Sequence, residues 1–225
     1  MTHTSLLITA ATLLATTAHA LVLVDTVADF STAEQGINGL YYGYYAAAES
    51  QDASLFSTVN IAAGSSGSDP AWIGPESYAT PLFTANVQHP SVDFAFPAVR
   101  RYLVGDGAEL DYSGQVQIVG SFGGATPGGG GAVVGFVNVN NVTLFSGQAN
   151  GSVVASFNFL ATVSPGDTID FGLRLFDGAA FDSTFTTALV TAVPEPSAFG
   201  PTLVLLGVLV ARRLVTTARS QRVAT

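Results

Sequence analysis

From residue 40 to residue 193 the chain alternates between two kinds of segment. Apolar and β-branched runs of about 5 to 10 residues are separated by clusters of Gly, Pro, Asp, Asn and Ser. Helical periodicity is scarce. The pattern predicts strands over 40–47, 56–61, 81–87, 92–96, 101–104, 115–122, 132–139, 142–145, 153–162, 168–176 and 184–193. A period of two is clear in several of them. In "SVVASFNFLATV" the residues Val153, Ala155, Phe157, Phe159 and Ala161 form the inward set, and Val154, Ser156, Asn158 and Leu160 face the other way. In "DTIDFGLRLF" the inward set is Ile169, Phe171, Leu173 and Leu175, with Asp170, Gly172, Arg174 and Phe176 outward. One sheet with one apolar face must cover that face. The predicted fold is therefore all-β, an antiparallel two-sheet β-sandwich.

Turn residues support this reading. "VNVNNVTLF" predicts a tight hairpin at Asn140-Asn141, which tolerate left-handed backbone. "SPGD" at 164–167 predicts a turn before a strand. "GGATPGGGGA" at 123–132 reads as a loop at one end of the sandwich. It lacks the Gly-Lys-Ser/Thr of a phosphate-binding loop.

The two ends follow another pattern. Residues 6–18 are apolar or small and lead into Ala18-His19-Ala20, which predicts a signal peptide over 1–20. At the other end, Pro194-Glu195-Pro196 precedes an oily run at 198–211 and the pair Arg212-Arg213, in a basic end over 212–225. Fourteen residues of helix reach about 21 Å, short for a hydrocarbon core of about 30 Å. Flanking arginines extend that reach by snorkelling, and they favour a cytoplasmic end. The body between these segments is 21–192, and the tail is 193–225.

Composition narrows the function classes. The chain has 225 residues, no Cys and a formal net charge of −9. The absence of Cys excludes disulfides, a thiol nucleophile and cysteine-ligated metal. Every acidic residue except Glu195 lies between Leu21 and Val193, where the arginines are only Arg100, Arg101 and Arg174. Such a body repels nucleic acid and anionic lipid. His89 is the one histidine of the body, so it supplies no histidine cluster for zinc. No Gly-x-Ser-x-Gly elbow or Ser-His-Asp arrangement is apparent, and no catalytic residue is nominated.

Four side chains are candidates for glycan contact. In "LYYGYY", Tyr41 and Tyr45 flank Gly43 on one face of a strand, which would leave a flat patch for a sugar ring. Trp72 sits in the Pro-flanked "SDPAWIGPES" and either caps the core or offers a platform. Arg100 and Arg101 point to opposite faces, so one of them at most, Arg101, serves a surface site, and each is expected to pair with carboxylates. Asp106 and Asp111 in "GDGAELD" are candidates for a structural calcium.

The order Pro194-Glu195-Pro196, oily run, Arg212-Arg213 resembles the PEP-CTERM sorting signal of Gram-negative bacteria. That resemblance implies an inner-membrane-anchored precursor, signal peptidase and exosortase as partners, and delivery to the cell surface or extracellular polymer. The succession "DFSTAEQGINGLYYGYY", "QHPSVDFAFPAVRRY", "GQVQIVGSF", "VSPGDTIDFGL" and "FDSTFTTALV" looks like a jelly-roll module of bacterial surface proteins. Together these imply a non-catalytic structural or adhesive protein of the extracellular matrix that contacts polysaccharide. Two alternatives stay open: a glycan-active hydrolase with a carboxylate pair, and a protein–protein module of the cell envelope.

Overall fold

A computed structural model describes residues 20–48, 50–59, 61–74, 81–90, 96–106, 112–124, 132–176 and 183–194. Ala20–Val193 is one compact unit. Its strands are β1 (Val22–Asp25), β2 (Leu40–Tyr45), β3 (Phe56–Ser57), β4 (Ala62–Ser66), β5 (Asp69–Ile73), β6 (Leu82–Phe83) and β7 (Val87–His89), followed by β8 (Ala98–Leu103), β9 (Gly114–Gly124), β10 (Val133–Val139), β11 (Val142–Ala149), β12 (Ala155–Val163), β13 (Thr168–Leu175) and β14 (Thr184–Ala192).

They form two antiparallel sheets, as the alternation predicts. One sheet, called A here, runs β12-β9-β14-β7-β6-β5-β4, with β1 also paired to β14. The other, B, runs β11-β10-β13-β8-β2-β3. Most connections between successive strands cross from one sheet to the other, so the core is built from distant segments. Val116, Ile118, Phe122, Phe157 and Val190 from sheet A meet Leu40, Tyr42, Val137, Ile169, Phe171 and Leu173 from sheet B. The predicted inward sets of β12 and β13 are largely confirmed: Ala155, Phe157, Ile169, Phe171 and Leu173 are buried. The hairpin at Asn140-Asn141 has φ of 49° and 66°. Both asparagines also work at a distance, since Asn140 Oδ1 accepts from Thr168 N (3.0 Å) and Asn141 Oδ1 from Ala53 N (2.6 Å).

Three strands lie outside the predicted set, β1, β4 and β5, and the strand predicted at 81–87 is split by a turn into β6 and the first residue of β7. Ala62–Ser66 is rich in small residues, and Asp69–Ile73 contains Pro70. Their strand form comes from pairing with each other rather than from propensity. The predicted strand at 92–96 lies outside the described residues save Phe96. Residues 1–19 and 195–225 also lie outside them, and with them all but the last residue of the predicted signal peptide and all but the first residues of the predicted tail. Among the described residues no helix is long and apolar enough to cross a membrane.

Sheet B departs from the two-face pattern in one respect. Asp170 was expected outward and is so directed, yet it is fully buried. The chain between β2 and β3 folds over this part of the sheet. It makes a second small core of Tyr45, Ala53, Val99 and Phe136, with Leu55 and Phe56 against it. Two glycines make the close approach possible. A Cβ on Gly172 would lie 2.0 Å from the Phe136 ring, and one on Gly43 would lie 2.3 Å from the carbonyl of Ser57.

Candidate functional site

The predicted glycan-contacting residues do not form one exposed patch. Tyr45 is 0% exposed. Its hydroxyl donates to Asp170 Oδ2 at 2.6 Å and accepts from Asn138 Nδ2 at 3.1 Å. The reading of Tyr45 as a sugar platform is corrected, because Ala53, Leu55 and Phe56 pack over its face of β2. Trp72 is 5% exposed. Its indole N–H donates to the carbonyl of Ser31 at 2.7 Å, and its ring stacks on Tyr42 with centroids 6.1 Å apart. It caps the core, the blander of its two readings. Tyr41 is half-buried, and its hydroxyl is tied to Asp106 Oδ2.

The two adjacent arginines point to opposite sides of β8, as expected, but only one meets a carboxylate. Arg101 forms a bidentate pair with Asp170, both bonds at 2.7 Å, and also donates to the carbonyl of Ala53 at 2.7 Å. Its guanidinium lies 4.1 Å from the centre of the Phe56 ring. Arg101, Asp170, Tyr45 and Asn138 are thus a buried polar network pinning the cover segment to sheet B. Arg100 overturns the expected carboxylate pairing. It is fully buried between the sheets and donates to four main-chain carbonyls, those of Thr26, Ala85, Thr84 and Val87, at 2.8–3.0 Å. Burial pushes its pKa down to about 10, partly offset by the Tyr42 ring beside it. It therefore stays charged at neutral pH.

The phenols carry a testable pH signature. Burial pushes Tyr42 up to about 12. Burial together with the Asp170 carboxylate raises Tyr45, and the hydrogen bond to Asp106 raises Tyr41. A raised folded pKa contributes stability that is fully present below the ordinary phenol value of 10.0 and lost as pH climbs through the folded value. Stability is expected to fall as pH rises from 10.0 towards the raised folded values, with late-titrating phenols seen by ultraviolet absorbance. Phenols that all titrate together at the unperturbed value in the folded protein would contradict it.

Several carboxylates are committed to the backbone. Asp25 Oδ1 accepts from Val27 N and Ala28 N, Asp29 Oδ2 from Asp25 N, and Asp167 Oδ2 from Ser164 N. Among the described residues no group of three His, Cys, Asp or Glu is placed to hold a metal ion. Of the calcium candidates, Asp106 holds Tyr41 and Asp111 lies outside the described residues. His89 Nδ1 faces the carbonyl of its neighbour Pro90 at 2.5 Å. The predicted sorting residues Glu195, Pro196, Arg212 and Arg213 also lie outside the described residues, and Pro194 is in an irregular segment.

The open surface with the most regular chemistry is the outer face of sheet A. Strands β9, β12 and β14 contain no Asp, Glu, Lys or Arg. Their outward side chains fall in rows set by register. One row is Asn158, Val119 and Leu189; the next is Ser156, Ser121 and Thr187. At the end of the face, Gly123 pairs with Phe185, and Val154 lies on its other side. Gln117 Nε2 donates to Asn158 Oδ1 at 3.0 Å, and the Ser121 and Thr187 hydroxyls meet at 3.2 Å. Phe185 is 43% exposed and Leu160 54%. Three strands at about 4.8 Å spacing and nine residues at about 3.3 Å make a strip roughly 10 Å by 30 Å. Asp25, opposite Leu189, marks its charged margin. The outward set of β12 is legible in the sequence, but its alignment with β9 and β14 is not.

Comparison with known proteins does not assign a family. No protein-family profile matches the chain, and no curated protein matches it. Similar solved structures share little sequence. A xylan-binding domain from Paenibacillus barcinonensis is 9% identical, with a TM-score of 0.36, over 76% of this chain and 93% of that one. A calcium- and xylotriose-bound carbohydrate-binding module is 13% identical, with a TM-score of 0.28, over 59% of this chain and 94% of that one. Pika GITRL is 16% identical, with a TM-score of 0.30, over 44% of this chain and 75% of that one.

Proposed function

We propose that this chain is an exported, non-catalytic β-sandwich that binds neutral polysaccharide on the outer face of sheet A. It acts as a structural or adhesive component of extracellular polymer. The observation that carries the reading is the charge-free strip on β9, β12 and β14. A neutral sugar polymer offers hydroxyls and apolar ring faces, and the strip offers hydroxyls and amides interleaved with Val119, Leu189, Leu160 and Phe185. Phe185, exposed and paired with Gly123, gives an aromatic surface at one end of the strip. The acidic remainder of the chain disfavours anionic polymers. Export rests on the two end signals, with signal peptidase acting near Ala20 and an exosortase near Pro194-Glu195-Pro196.

The experiment is a titration of the Ala20–Val193 unit, which holds its own core, against neutral and uronic-acid polysaccharides, with and without calcium. Saturable binding to a neutral polymer is expected, and Phe185→Ala is expected to weaken it about tenfold, or about 1.4 kcal/mol. Binding confined to anionic polymers, or unaffected by Phe185→Ala, would contradict the assignment of the face.

A further inference from the structure

One side of the sandwich is closed by two edge strands, β12 of sheet A and β11 of sheet B, joined by the short connection at 150–154. Natural edge strands are blunted by charge, by proline or by shortness. Among the described residues these two have none of those devices. β12 has nine residues and β11 has eight, with no charged residue and no proline in either. The chain as a whole carries −9, so two copies repel wherever their carboxylates meet. This side is where they can approach.

We infer that two copies of the chain pair antiparallel through β12, about a twofold axis at Phe159, to make one continuous sheet. The sequence of β12 is complementary to itself in that register. Ala155 falls opposite the partner copy's position 163, a valine, and Ser156 opposite position 162, a threonine; both are hydroxyl-to-hydroxyl or small-to-branched pairs. Phe157 falls opposite position 161, an alanine, so the larger ring meets the smaller side chain. Asn158 falls opposite the leucine at position 160, and Phe159 meets its own copy. Phe159 and Ala161 are inward-facing yet only partly covered by the core of one copy. A second strand would complete their burial. Each copy presents the same strand, so the contact is isologous and closes as a dimer. The main-chain bonds supply the affinity and the side-chain pairs the register.

The test is sedimentation equilibrium of the Ala20–Val193 unit over a wide concentration range. A dimer mass is expected. In Asn158→Lys/Leu160→Lys the new ammonium groups stand directly opposite each other across the axis, which disfavours pairing, and a monomer is expected. In Asn158→Lys/Leu160→Glu each ammonium group meets a carboxylate, and the dimer is expected to return. Near-ultraviolet circular dichroism and thermal melting check that both variants stay folded. A wild-type unit that is monomeric throughout overturns the proposal. So does a folded Lys/Lys variant that still dimerises, or a folded Lys/Glu variant that does not.

Discussion

Asp170→Ala is expected to destabilise the Ala20–Val193 unit by about 3–5 kcal/mol. Asp170 is fully buried on the outer side of sheet B and holds two partners at once. Its oxygens take the bidentate Arg101 pair, and one also accepts from Tyr45. Removing the carboxylate leaves a largely buried guanidinium without its anion and a buried phenol without its acceptor. Such orphaned groups cost far more than the intact pair contributes. The cover segment then loosens as well, because Arg101 reaches it at the Ala53 carbonyl and Asn138 reaches it at the Gln51 carbonyl. Urea unfolding measures the loss. Asp170→Asn keeps an acceptor oxygen for Tyr45 and should cost less. Adding Arg101→Met to Asp170→Ala should recover part of the loss, since no unpaired charge remains. A loss below about 1 kcal/mol for Asp170→Ala would mean that the network contributes little to holding the cover in place.

Arg100→Met is expected to cost about 3 kcal/mol, through a different mechanism. Here the charge meets four neutral carbonyls rather than a carboxylate. Two of those carbonyls, of Thr84 and Ala85, lie in the turn between β6 and β7, that of Val87 opens β7, and that of Thr26 follows β1. The side chain therefore ties β8 of sheet B to two separate parts of sheet A. Methionine fills similar volume but leaves the carbonyls facing apolar atoms. Part of the loss is offset, because the buried guanidinium no longer has to be desolvated. Arg100→Lys keeps the charge but loses the planar fork that spans the four acceptors, so its cost should be intermediate. Chemical denaturation of the three proteins orders them. If Arg100→Met were the most stable of the set, the arginine would be a net burden on the fold rather than a tie between its sheets.

The sequence makes the sandwich legible where neighbours along the chain decide the structure. The alternation in β12 and β13 names the core face, and the asparagine pair names a turn that needs positive φ. It is silent where distant segments decide. Tyr45 looks like half of an exposed aromatic pair because nothing local says that Ala53, Leu55 and Phe56 pack across it. Trp72 looks like a loop residue because β4 and β5 become strands only by pairing. The arginine pair shows the same division. Strand geometry predicts that Arg100 and Arg101 part company, but the choice of acceptor, carbonyl for one and carboxylate for the other, depends on what lies across the sandwich. The candidate face follows this rule too: its absence of charge is written in β9, β12 and β14, and its assembly into one strip requires their register.

Backbone amide shifts in the Ala20–Val193 unit, mapped as a neutral polysaccharide is added, test the proposed binding face most directly. The shifts are expected to centre on Phe185, Thr187, Ser121 and Asn158, on the outer face of sheet A. Shifts centred on Tyr41, Asp106 and the edge of sheet B, or none at saturating polymer, would contradict it.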